Sequence, residues 1–78
     1  MMEKSLKLII TFPSTTEAIA FEKACLANKL PGRLIPLPRE IDSGCGMAWC
    51  ALPQDRKELE QIAQSEGIKI SGVYQLFF

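Results

Sequence analysis

The stretch "KSLKLIITFPSTTEAIAFEKACLANKLPG", Lys4 to Gly32, carries the reading on which the fold depends. Its first part alternates. Leu6, Leu8, Ile10 and Phe12 share one face of an extended chain, and Lys7, Ile9 and Thr11 share the other. This predicts a strand over Lys4–Phe12, ended by Pro13. Ser14-Thr15-Thr16-Glu17 then has the form of a capping box, with Ser14 as N-cap and Glu17 at N3. A helix follows to Asn28 or Lys29. Its inner stripe is Ala18, Phe21, Ala24, Cys25 and Asn28, and Leu30-Pro31-Gly32 stops it.

Working outward, Gly32–Pro38 reads as a second strand. Pro36 and Pro38 cannot donate to a ladder, so it is short or at a sheet edge. Arg39–Gly46 is a polar, glycine-bearing loop. Met47–Leu52 is a third strand with Met47, Trp49 and Ala51 on one side, and the two strands form an antiparallel hairpin with Cys45 near its tip. Pro53 to Glu58 opens a second helix, capped by Asp55 and Glu58. Its buried stripe is Leu59, Ile62 and Ala63, and Gly67 ends it. Gly72–Phe78 is the last strand. The order β-α-β-β-α-β predicts an α+β, ferredoxin-like sandwich: one domain over residues 1–78, a four-stranded antiparallel sheet and two helices on one face.

Such a layout leaves the other sheet face uncovered. Ile9, Ile35, Leu37 and part of Tyr74, Leu76, Phe77 and Phe78 then lie outside the main core. Two outcomes are open. The face is a partner or homodimer surface, or short loops and charged neighbours cover it.

The bulk numbers narrow the function. With 78 residues the core is thin, because a domain this small buries only roughly 60–65% of its unfolded surface. Nine basic residues balance nine acidic ones, so no strong basic field attracts nucleic acid or an anionic membrane. Apolar runs such as Leu8–Ile10 fall far below the roughly 20 residues that span a bilayer. Met1-Met2-Glu3-Lys4 does not open a signal peptide, so the expected location is the cytoplasm, where thiols stay reduced. Histidine is absent, which excludes Cys-His and Ser-His nucleophile pairs and His-ligated metals. The three cysteines lack the paired spacing of a zinc knuckle, so neither metal nor cofactor is expected.

Chemistry then rests on "IDSGCGMAWC", Ile41 to Cys50. Gly44 and Gly46 flank Cys45. Glycines admit crowded or left-handed backbone and clear the approach to the sulfur. Backbone N–H groups in such a turn can form an anion nest. Arg39 and Arg33 favour a thiolate if the fold brings them near, while Glu40 and Asp42 oppose it. The bland alternative is a tight turn with an incidental cysteine. Cys25 reads as core. Cys50 reads as a strand cysteine packed on one sheet face, or as a resolving thiol for Cys45. The second reading needs the loop to fold back: an extended segment puts the two Cα atoms roughly 13–16 Å apart, and a disulfide needs about 7 Å.

Three stretches carry a resemblance: "TFPSTTEAIAFEKACL", "LPGRLIPLPREIDSGCGMAW" and "GVYQLF". Together they resemble a small bacterial family described as selenium/sulfur carrier-like proteins. The resemblance implies that Cys45 accepts sulfur or selenium as a persulfide or selenosulfide and passes it to an acceptor enzyme. The protein would then be a carrier between donor and acceptor enzymes rather than a turnover enzyme. Pro38, Arg39, Ser43, Gly44 and Gly46 fall within the matching motif. Cys50 departs from it, since family members tend to carry a basic or other residue there. Two other readings stay open: a non-catalytic interaction module using the open sheet face, with Cys45 a structural turn residue, and a redox sensor pairing Cys45 with Cys50.

Overall fold

The computed structural model describes residues 5–41 and 45–77. Strand β1 is Leu6–Thr11, helix α1 Thr15–Ala27, β2 Arg33–Pro36, β3 Met47–Ala51, α2 Arg56–Glu66 and β4 Gly72–Phe77. A 3₁₀ turn, Pro53–Asp55, leads into α2. All neighbouring strands are antiparallel, in the order β2-β3-β1-β4. The architecture is the expected α+β ferredoxin-like one. The proline-bearing β2 is both short and at an edge.

Helix α1 starts as its sequence dictates. Ser14 is extended, at φ −152°, and its Oγ accepts from the Glu17 N–H at 3.4 Å. The Glu17 carboxylate does not turn back to the cap. It accepts from the Lys69 N–H at 3.4 Å and ties the helix start to the segment before β4. The helix ends in a Schellman arrangement without glycine. Lys29 takes φ +56°, its N–H donates to Leu26, and the Leu30 N–H donates to the Cys25 carbonyl at 2.9 Å. Asn28 is not part of the buried stripe. It is exposed, and its Nδ2 donates to the Ala24 carbonyl at 2.8 Å. In the second helical segment the Asp55 carboxylate accepts from the Leu52 N–H at 3.2 Å, and Gly67 ends α2 at φ +68°.

Strand alternation divides the apolar residues between two clusters. Leu8, Ile10 and Phe12, with Trp49 and Ala51, meet Ala18, Phe21, Cys25, Leu59 and Ala63 of the helices. Phe21 sits between Phe12 and Trp49, with ring centroids 5.2 Å and 5.4 Å away. Trp49 Nε1 donates to the Pro31 carbonyl at 3.2 Å. Gly32 is required beside it. At φ +114°, any Cβ there would overlap the Trp49 indole and lie 2.7 Å from the Cys50 carbonyl oxygen.

The opposite sheet face has its own cluster of Ile9, Ile41, Ala48 and Cys50, with Ile35, Leu37 and Leu76 packed against it. Pro38 to Ile41 forms a turn closed by the Ile41 N–H on the Pro38 carbonyl at 3.0 Å. That turn lays Ile41, 6% exposed, over a fully buried Ile9. The segment expected to be a polar, glycine-bearing loop thus supplies an apolar cover, and a loop shields the centre of this face. Phe77 does not belong to this face. It pairs with Leu6, two residues along β1 from Leu8 on the helix side, and stays 68% exposed. Phe78 lies outside the described residues.

Candidate functional site

The β2–β3 hairpin positions Cys45. Pro36 pairs with Met47, and beyond it the Leu37 N–H donates to the Gly46 carbonyl at 2.8 Å. Cys45 is the next residue out. Gly46 takes φ +85°, and among the described residues a Cβ there would meet nothing within 4 Å. The positive φ accounts for glycine at 46, and the space beside Gly46 itself is open among the described residues. The Cys45 thiol is half-buried. It rests against the helix-side cluster, and its Sγ donates to the Met47 carbonyl at 3.6 Å. Ser43 and Gly44, which fall within the matching motif, and Asp42 lie outside the described residues.

The two arginines are placed differently. Arg39 is exposed in the Pro38–Ile41 turn, on the connection that leads to Cys45. Arg33 is not at the hairpin tip. It stands at the far end of β2, opposite Cys50. Three residues of strand separate it from Pro36, roughly 10 Å.

The other cysteines occupy different surroundings. Cys25 is fully buried in the helix-side core, and burial pushes its thiol up to about 11. A thiol there is a small apolar filler, as the helical spacing predicts. Cys50 is buried in the cluster on the other sheet face. Its thiol is pushed up by burial, while the Lys7 and Arg33 charges pull it back. Cys45 and Cys50 therefore pack on opposite faces of the sheet, and all three cysteines are free.

The arrangement offers one half-buried thiol at a hairpin end, beside an open glycine and on the connection that also carries the exposed Arg39. Sulfur nucleophilicity needs such access and a thiolate. Sequence reasoning missed the Ile41 cover that anchors this connection. The signal available was a lone isoleucine in an otherwise polar loop.

Among the described residues no helix is long and apolar enough to cross a membrane. Comparison with curated proteins gives no match, and neither does comparison with solved structures. A family model described as "Putative Se/S carrier protein-like" matches residues 7–75. The match takes in both helices, the whole hairpin with Cys45, and all but the outer ends of β1 and β4. The chain belongs to this family of selenium/sulfur carrier-like proteins.

Proposed function

We propose that the protein carries sulfur or selenium on Cys45 between a donor and an acceptor enzyme. The observation that carries this reading is the contrast among the three thiols. Cys25 and Cys50 are buried, whereas Cys45 is half-exposed at a hairpin end with open space beside Gly46. Family membership points the same way.

Loading begins when the Cys45 thiol loses its proton to solvent or to a donor-enzyme base. A carbonyl oxygen accepts from a thiol but repels a thiolate, so Sγ then turns from Met47 toward the open space beside Gly46. The thiolate attacks the terminal sulfur of a donor persulfide. A new S–S bond forms on Cys45, the donor S–S bond breaks, and the donor cysteine leaves as thiolate. Transfer onward reverses the roles: an acceptor nucleophile takes the outer sulfur and Cys45 leaves. A selenium atom in the outer position follows the same exchange. No histidine is needed on the carrier, because its partners supply the acid and base. In this reading Gly44, Gly46, Ser43 and Arg39 support the thiol, and the Arg39 charge attracts an anionic partner surface.

The test uses a cysteine desulfurase with radiolabelled cysteine. Wild type takes up label that dithiothreitol releases. Cys25→Ser and Cys50→Ser retain this labelling, and Cys45→Ser loses it. Equal label on Cys45→Ser, or none on wild type, overturns the reading.

A further inference from the structure

Cys50 is not used by the carrier reading, yet its surroundings are specific. It lines a cleft of about 390 Å³ together with Lys7, Arg33, Gly32, Leu52 and Asp55. Strand register explains the grouping. Cys50 pairs with Ile9 on one side and with Arg33 on the other, and Lys7 is two residues along β1 from Ile9. Residues two apart in a strand share a face, so Lys7, Ile9, Cys50 and Arg33 present to one side of the sheet. Cys50 is 7% exposed and its thiol is free of any disulfide.

Two cations therefore flank one thiol at the cleft. Both act on it electrostatically, against the effect of burial. Lys7 also donates to Ser5 Oγ at 2.6 Å, and among the described residues Arg33 makes no salt bridge. The carboxylate in the lining, Asp55, is engaged by the Leu52 N–H. The remaining walls, from Pro31, Ala51 and Leu52, are apolar. An anionic head between the cations and a short apolar stem toward the thiol match these walls.

We propose that this cleft is a second thiol site, which takes a small disulfide bearing a carboxylate and forms a mixed disulfide with it at Cys50. Lys7 and Arg33 hold the carboxylate. The Cys50 thiol gives its proton to solvent, and the thiolate attacks the nearer sulfur. The Cys50–S bond forms as the reagent S–S bond breaks. The departing half leaves as thiolate and takes a proton from water. One disulfide is consumed and one is made, so no external oxidant or reductant enters. The site is separate from Cys45 and stands whether or not Cys45 is a carrier thiol.

The experiment compares dithiodipropionate with cystamine, two small symmetric disulfides of opposite charge. Each is incubated with the intact native protein at mildly alkaline pH, and modification is followed by peptide mass mapping. Cys50 reacts about tenfold faster with dithiodipropionate than with cystamine at low salt. Lys7→Gln and Arg33→Gln each reduce that ratio, and the double variant brings it close to one. In wild type, raising salt from about 0.01 M to about 1 M also collapses the ratio, because the screening length falls from roughly 30 Å to 3 Å. The salt series decides the matter if the double variant fails to fold. Equal rates, faster reaction with cystamine, no modification of native Cys50, or a ratio insensitive to salt each overturns the proposal.

Discussion

Cys45 and Cys50, five residues apart, pack on opposite faces of one sheet: the first against the helix-side cluster, the second against Ile9 and Ile41. A disulfide needs Cα atoms within about 7 Å and converging Cβ vectors. Mild oxidation of the native protein is therefore expected to leave these two thiols of one chain unlinked. Intact-mass measurement and non-reducing peptide mapping check this. A Cys45–Cys50 linked peptide from natively folded protein would restore the redox-sensor reading.

Thiol burial predicts an order of alkylation. Under native conditions iodoacetamide modifies Cys45 before Cys50, and Cys25 last, in step with global unfolding. Quenched time points with mass mapping give the order. Early labelling of Cys25 would contradict its place in the core.

Cys25 also makes stability depend on pH. In the unfolded chain its thiol ionises near the ordinary value of 9.0, but burial holds it to about 11 in the folded state. The unfolded chain thus loses the proton first, and stability falls as pH rises through this window. The loss amounts to on the order of 2 kcal/mol by the upper end. Urea midpoints measured below and above the window should fall more steeply for wild type than for Cys25→Ala. Parallel slopes would show that the buried thiol is not the cause.

Ile41 is the cover of the second cluster, so its truncation has a defined cost. Ile41→Ala is expected to lower stability by about 2 kcal/mol, the low end for a buried isoleucine, because the site borders solvent. It should also raise binding of a hydrophobic dye by uncovering Ile9 and Ala48. Ile41→Asp should add self-association only if the uncovered face recruits a second copy, which sedimentation would reveal. An Ile41→Ala variant as stable as wild type would mean that the turn is not a cover.

Two glycines with positive φ should respond unequally to alanine. Gly32→Ala meets the Trp49 indole as well as backbone strain, and a loss above about 3 kcal/mol is expected. Among the described residues Gly46→Ala meets strain alone, at a cost of about 1 kcal/mol, and puts a methyl beside Cys45. Thermal melts of the two variants measure the difference. Equal losses would remove the packing argument for Gly32.

Local chemistry settled much of this molecule before any contact was known. Alternation in Leu6 to Phe12, the Ser14 cap, Pro36 at an edge strand, Gly67 at a helix end and Cys25 on a helical stripe are all short-range statements. Periodicity and backbone sterics decide them within a few residues. The place of Cys45 at the hairpin end belongs to the same class, but its half-burial against the helix-side cluster does not.

Tertiary structure alone decided which distant groups meet. Strand register put Arg33 opposite Cys50 instead of near Cys45, and a one-residue slip would have turned Cys50 to the helix side. Packing brought Ile41 over Ile9 and sent the Glu17 carboxylate to Lys69 instead of to its own cap. These pairings join residues far apart in the chain, and their energies come from burial and charge in three dimensions. No local preference encodes them, so they emerge only once the sheet is assembled.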